Sequence, residues 1–97
     1  TLKPGMILSN EPGYYKNGEY GIRIENLMLV IENKNNFLSM ETLTLAPIER
    51  NLILSKMLSS DEKLWLNSYH QKVYNKISST LKQNEKEWLK QKTSLIS

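Results

Sequence analysis

The chain has 97 residues, of which 39% are hydrophobic and 24% charged, which is the composition of one small globular domain. It contains no cysteine, which excludes disulfides and thiolate metal ligands and fits a reducing compartment. The net charge is +3, and no apolar run approaches the roughly 20 residues of a membrane span. We therefore expect a cytoplasmic protein without a membrane partner.

The positive charge is concentrated in the second half of the chain. Residues 51–97 contain eight lysines and four acidic residues, whereas residues 1–50 contain five basic and six acidic ones. The lysines are interleaved with glutamate, and arginine, the usual reader of phosphates and base edges, is absent from residues 51–97. A solvated helix face accounts for this pattern, and we expect no nucleic-acid partner.

The first half of the chain has the pattern of strands separated by turns. Met6–Leu8 is a short apolar run, and Pro12–Gly13 after it predicts a turn. Asn17–Gly18 predicts a reversal of the chain direction. Gly21–Ile31 is rich in β-formers and apolar on both faces after Asn26, which predicts one long central strand covered on both sides.

A further strand and then helices follow. Phe37–Ala46 alternates like a strand with one wet face and stops at Pro47. Ser59 and Glu62 are spaced as a capping box, which predicts a helix start after a connector over residues 47–60. A single apolar stripe then recurs at intervals of three and four residues, and polar residues near Ser78–Thr80 predict a break into two helices. The stripe consists of Leu66, Tyr69, Val73 and Ile77.

Two glutamates of the first half are candidates for chemistry. Glu11 stands at the end of an apolar strand immediately before Pro12, a common place for a site residue and also for an ordinary surface glutamate. Glu25 stands in the predicted buried strand, with Arg23 on the same face. A buried carboxylate needs a compensating cation, and either Arg23 or a metal ion fits that need.

Together the two glutamates form half of a metal site. A hairpin that turns at Asn17–Gly18 places Glu11 and Glu25 side by side, where they repel unless a cation lies between them. Oxygen ligands suit hard cations such as Mn²⁺ or Mg²⁺. A dimetal site needs further ligands, but Asp61 and His70, the single aspartate and histidine, both fall on the predicted helices. A lone helical histidine is more often packed or exposed than a ligand.

At these residues the sequence resembles a known family. NEPGYY, at Asn10–Tyr15, and GIRIEN, at Gly21–Asn26, are similar to the last two metal-ligand motifs of Xaa-Pro aminopeptidases, which are M24 metallopeptidases with the α/β "pita-bread" fold. The likeness continues through Glu41–Pro47 and into the tail motifs that begin at Trp65 and Trp88. The tail resembles the C-terminal region of the longer, cytosolic-type branch.

The resemblance implies a fold and its boundaries. We expect an α+β fold, the C-terminal part of a pita-bread domain, with antiparallel strands followed by a helical tail. Residues 1–48 would be the last strands of the catalytic domain, and residues 49–97 a helical extension. In the family branch this extension is associated with dimer formation, which implies a homodimer through the C-terminal region.

The resemblance also implies roles for individual residues. In the family two Asp, one His and two Glu hold two divalent metal ions, usually Mn²⁺. Glu11 would be the first glutamate ligand and the group that handles the proton of the attacking water. Glu25 would be the bridging glutamate, with Tyr15 and Arg23 as supporting residues. The substrate implied is a peptide with proline at its second position, from which the residue before proline is removed.

The family pattern is only partly present. The two Asp ligands and the His ligand lie upstream in the family, in an N-terminal part that would be the missing partner of this chain, so we expect the chain alone to be inactive. Two alternatives stay open: a non-catalytic M24-like binding module, or an interaction segment whose helical tail does the binding. The second would use Trp65, Tyr69, Trp88 and Leu89 as anchors, unless these side chains pack within the chain itself.

Overall fold

The computed structural model describes all residues from Thr1 to Ser97 and divides them into two compact units, Thr1–Thr44 and Leu45–Ser97. The first unit consists of five strands and the second mainly of two helices, as expected for an α+β fold. The strands are β1 (Ile7–Asn10), β2 (Gly13–Lys16), β3 (Tyr20–Arg23), β4 (Asn26–Glu32) and β5 (Leu38–Thr42). The helices are α1 (Ser60–Ile77) and α2 (Gln83–Lys92).

The strand unit contains two antiparallel sheets. One has three strands in the order β1-β4-β5, and the other is the β2-β3 hairpin. The predicted reversal is confirmed, because Gly18 has a φ of 74° in the turn and Lys16 and Glu19 close it with a salt bridge of 3.0 Å. Only residues 17–19 lie between the two strands of the hairpin.

The prediction of one continuous strand from Gly21 to Ile31 is wrong. β3 pairs with β2 in one sheet, whereas β4 pairs with β1 and β5 in the other, so the chain changes sheets between them. β4 is central, as predicted, but Val30 is the only buried side chain of the strand unit. β5 is also shorter than predicted, since it ends at Thr42, five residues before Pro47.

The helical unit begins with a connector that contains two short 3₁₀ turns, Arg50–Leu52 and Ser55–Met57. The capping box that starts α1 is confirmed: the Ser59 hydroxyl accepts from the Glu62 amide at 3.1 Å, and the Glu62 carboxylate accepts from the Ser59 amide at 2.8 Å. A 3₁₀ turn at Ser78–Thr80 separates the two helices, where the break was predicted. Neither helix combines the length and the apolar composition needed to cross a bilayer.

The helical core forms around Tyr69, Val73 and Leu89, with partly buried neighbours from the start of the unit, from α1 and from the link between the helices. Of the two alternatives for Tyr69 and Leu89, packing within the chain holds, because burial in this core leaves Leu89 only 2% exposed. Trp65 stacks on Tyr69 with ring centroids 5.5 Å apart, yet it remains 54% exposed, as does Trp88. Only the two tryptophans of the proposed anchors are open to solvent.

Hydrogen bonds to the backbone tie the connector and the tail to the helices. The Tyr69 hydroxyl donates to the Ala46 carbonyl at 2.9 Å and accepts from the Ala46 amide at 3.3 Å. The next residue, His70, accepts from the Ile48 amide through Nε2 at 3.1 Å. At the end of α2, the Arg50 guanidinium donates to the carbonyls of Gln91, Ser94 and Leu95. A cation at this position also complements the negative end of the helix dipole.

Candidate metal centre

A gap between the two sheets positions the candidate ligands. Asn10 faces Asn26 in the three-stranded sheet, and Gly13 faces Arg23 in the hairpin. The same register carried through the gap sets Glu11 opposite Glu25. Pro12 has no N–H to contribute to a ladder, which explains why regular pairing stops here. One bond bridges the gap, from the Ile24 amide to the Pro12 carbonyl at 3.1 Å.

The two carboxyl groups meet in this gap. The side chain of Glu25 hydrogen-bonds to that of Glu11, and this bond together with the negative charge of Glu11 raises the pKa of Glu25. The pKa of Glu11 is lowered, first by a hydrogen bond from Ser9 and then by the bond from Glu25. Glu25 is therefore the weaker acid of the pair. The two carboxyl groups titrate as a coupled pair, because ionisation of one disfavours ionisation of the other.

The surroundings of Glu25 differ from the sequence expectation. We expected a carboxylate buried in a strand on the same face as Arg23, but Glu25 is exposed in the link between β3 and β4. Its closest electrostatic partner is Glu11, which acts on it more strongly than Arg23 does. The expected burial of Glu25 is therefore wrong, while the charge of Arg23 still acts to lower its pKa.

Ser9 is a neighbour of the pair that the sequence reasoning missed. Its hydroxyl donates to Oε2 of Glu11 at 2.7 Å. The two residues are two apart, so the pleat of β1 directs both side chains to one face. That spacing was readable from the sequence, but it becomes informative only after Glu11 is known to lie on the continuation of the strand.

Arg23 and Tyr15 form the other side of the site. The Arg23 guanidinium hydrogen-bonds to the Tyr15 hydroxyl, and this contact, with weaker contributions from the charges of Glu25 and Glu11, raises the pKa of Arg23. Arg23 therefore stays protonated and supplies the positive charge that partly offsets the two carboxyl groups.

Two glycines leave the space that the Tyr15 ring occupies. A Cβ built on Gly21, the cross-strand partner of Tyr15, would lie 2.5 Å from Cδ1 of the ring. A Cβ built on Gly13 would lie 2.8 Å from the Tyr15 hydroxyl. The ring therefore lies flat across both strands of the hairpin, in space that any other residue type would fill. Sequence reasoning assigned Gly13 only to a turn and gave Gly21 no role.

The donor set fits part of a centre for a hard divalent cation. Two adjacent carboxyl groups supply oxygen ligands only, which is the preference of Mg²⁺ and Mn²⁺. No cluster of three or more His, Cys, Asp or Glu side chains exists in the chain, so Glu11 and Glu25 are a partial set. His70 is no free ligand, because it is fully buried and its Nε2 already accepts from Ile48. This fits the expectation that His70 is packed.

The chain matches two protein-family models. Residues 36–96 match the C-terminal region of peptidase M24, and residues 1–32 match metallopeptidase family M24. The chain belongs to the M24 metallopeptidase family. The glutamate pair of the strand unit thus lies in the segment that matches the metallopeptidase model itself.

The individual relatives that the chain resembles are named as aminopeptidases. A probable Xaa-Pro aminopeptidase P of Coprinopsis cinerea is 50% identical over 99% of this chain, which spans 17% of that relative. Another, from Laccaria bicolor, is 45% identical over 96% of this chain and 16% of its own length. Among solved structures, the X-prolyl aminopeptidase of Caenorhabditis elegans, described as a cytosolic enzyme with a di-nuclear active site, matches with a TM-score of 0.91. It is 35% identical and covers 98% of this chain, which spans 17% of that structure.

The structural match confirms the predicted fold class: antiparallel strands and a helical tail, as in the C-terminal part of the aminopeptidase fold. The boundary predicted between residues 48 and 49 stays a prediction. The compact units divide after Thr44, and the two family models divide between residues 32 and 36.

Proposed function

We propose that this chain is the segment of an Xaa-Pro aminopeptidase that supplies two glutamate ligands, Glu11 and Glu25, to a pair of divalent metal ions, with Mn²⁺ as the metal. The observation that carries the proposal is the register that sets Glu11 opposite Glu25 in the gap between the two sheets. A divalent cation bound there would offset the repulsion between the two carboxylates. The Xaa-Pro aminopeptidase names of the relatives support the substrate class, a peptide with proline at the second position.

The residues of this chain would divide the chemistry among them. When bound, the metal pair supplies Lewis acidity and lowers the pKa of water. Glu11 and Glu25 would hold the metal pair, with Glu25 as the glutamate shared by both ions. Glu11 would also be the base that takes the proton of the attacking water and would return it to the proline nitrogen as the peptide bond breaks. Arg23, held by Tyr15, orients the carboxylates and offsets their charge.

The chain alone should not catalyse this reaction. Two ligands do not hold two metal ions in register, and the proposal requires two Asp ligands and one His ligand from an N-terminal part of the same protein. We also place the protein in the cytoplasm, in line with the cytosolic relative from Caenorhabditis elegans, and expect neither a nucleic-acid nor a membrane partner. The alternative of a non-catalytic module is less favoured, because both carboxylates of the motif are retained.

A peptidase assay of the full-length gene product that carries these residues tests the proposal. With Mn²⁺, it should release the first residue from a peptide with proline at position two and not from a matched peptide with alanine there. Glu25→Gln should abolish this activity, whereas Glu41→Gln, on the exposed part of β5, should not. Equal cleavage of both peptides, or an active Glu25→Gln variant, would refute it. Turnover by the 97-residue chain alone would refute the proposal that the site needs ligands from an N-terminal part of the protein.

A second proposal concerns assembly. We propose that the full-length protein forms a homodimer through its C-terminal region, with Trp65 and Trp88 as the contacts. Both side chains are 54% exposed, and aromatic side chains dominate the energetics of many interfaces. Sedimentation of the wild type and of the Trp88→Ala variant tests this: the wild type should sediment as a dimer and the variant should shift towards monomer. A monomeric wild type would refute the proposed homodimer.

A further inference from the structure

Ser9 holds the catalytic candidate Glu11 from a rigid position. The hydroxyl lies 2.7 Å from Oε2 of Glu11. Its own backbone is fixed in β1, where Ser9 faces Leu27 of the central strand β4. Glu11 itself lies just outside the regular strand and is exposed. A long, exposed side chain of this kind samples several rotamers unless another group restrains it.

The Ser9 hydroxyl suits a carboxylate that binds a metal ion. Two ionised carboxylates act only as acceptors, so Glu25 as a metal ligand offers Glu11 no hydrogen bond. A serine hydroxyl carries its own proton and can donate to Glu11 beside a bound cation. One O–H occupies one of about four lone-pair positions of a carboxylate and leaves the others for the cation.

We propose that Ser9 is a positioning residue that orients the Glu11 carboxylate towards the metal and the attacking water. The inference rests on the proposed function and adds a residue to it. The hydroxyl fixes which oxygen of Glu11 faces away from the cation, which is the role that outer hydrogen-bond donors play for metal-binding carboxylates. Its loss should weaken the metal site and slow turnover with little change in peptide binding.

A matched pair of variants separates the hydroxyl from the shape of the side chain. Ser9→Thr keeps the hydroxyl, and Ser9→Val has nearly the same shape without it. Both residues suit an exposed strand position. In the full-length gene product, Mn²⁺ affinity is measured from the electron paramagnetic resonance signal of free Mn²⁺, and kcat and KM are measured on the Xaa-Pro peptide.

We expect Ser9→Val to bind Mn²⁺ about 10-fold more weakly and to lose activity in kcat rather than KM, and Ser9→Thr to restore both. Wild-type affinity in Ser9→Val would overturn the inference. Equal losses in Ser9→Thr and Ser9→Val would also overturn it, because the effect would then come from added bulk. If the wild type binds Mn²⁺ and cleaves the peptide in either case, the proposed function stands. A wild type that does neither overturns both.

Discussion

Glu25 lies opposite Glu11, and their carboxyl groups hydrogen-bond, in the gap between two antiparallel sheets. The residues lie 14 positions apart and oppose each other because one register runs through both sheets, from Ile7 and Leu29 to Lys16 and Tyr20. Pro12 interrupts the ladder and leaves the pair exposed rather than covered. The site therefore holds two solvent-exposed carboxyl groups whose pKa values depend on each other.

The pKa of Glu25 depends on its neighbour Glu11. Glu25 has a raised pKa because it hydrogen-bonds to Glu11 and feels its charge, so Glu11→Gln should lower the pKa of Glu25 towards the ordinary 4.5. Carbon-13 NMR titration of the side-chain carboxyl signals measures this directly. Glu41→Gln should leave the Glu25 midpoint in place. An unchanged midpoint in Glu11→Gln would contradict the pairing.

The buried His70 predicts acid sensitivity of the helical unit. Burial first, and the Arg50 charge second, lower its pKa below the ordinary 6.5. The unfolded chain therefore binds a proton more readily than the folded one, so stability is complete above about pH 6.5 and falls as the pH drops towards the folded pKa. Protonation would also put a donor at Nε2 against the Ile48 amide, which is itself a donor.

Thermal melts from pH 8 to pH 5 check this prediction. His70→Gln is the matched variant, because a Gln oxygen can accept from the Ile48 amide but does not titrate. The wild type should lose stability through this range by more than His70→Gln does. Parallel curves would assign the acid sensitivity to other groups.

The Tyr69 hydroxyl should stabilise the connector. Tyr69→Phe removes the bonds to both the amide and the carbonyl of Ala46, which should lower the free energy of unfolding by about 1 kcal/mol. Urea denaturation of the wild type and the variant gives this difference. Tyr74→Phe removes a hydroxyl from a partly buried residue of the same helix and should have less effect. Equal losses would show that the bonds to Ala46 add nothing specific.

The close approach of Gly21 to the Tyr15 ring predicts that substitutions at these two positions are coupled, so that Gly21→Ala changes stability in opposite directions with and without the ring. Gly21→Ala places a methyl group 2.5 Å from the ring, so Tyr15 must move and its bond to Arg23 must break. In a Tyr15→Ala background the obstacle is absent, and alanine should be neutral or stabilising because glycine weakens a strand. A double-mutant cycle of unfolding free energies measures the coupling. Additive effects would mean that ring and glycine do not interact.

Local signals in the sequence predicted much of the fold. Ser59 and Glu62 define the start of α1 through contacts within one turn, and Gly18 supports the hairpin turn through a positive φ that few other residue types allow. Both features depend on residues close in sequence. The opposition of Glu11 and Glu25 follows from the hairpin, which explains why it was also predictable.

Features that depend on distant partners were missed. The break between β3 and β4 lies opposite Glu11 and Pro12, where the missing N–H of Pro12 interrupts the ladder, and periodicity within residues 21–31 does not record this partner. The burial of Tyr69 and Leu89 follows from the packing of α1 against α2, whereas Trp88, next to Leu89, stays exposed. Hydrophobic character did not distinguish these neighbours; the helix face on which each one lies did.

A count of bound manganese tests the central claim most directly. The full-length gene product is titrated with Mn²⁺ at neutral pH, and the bound ions per chain are counted for the wild type, Glu25→Gln and Glu41→Gln. We predict two ions for the wild type and for Glu41→Gln, and loss of paired binding in Glu25→Gln. Two tightly bound ions in Glu25→Gln would show that this carboxylate does not bridge a metal pair.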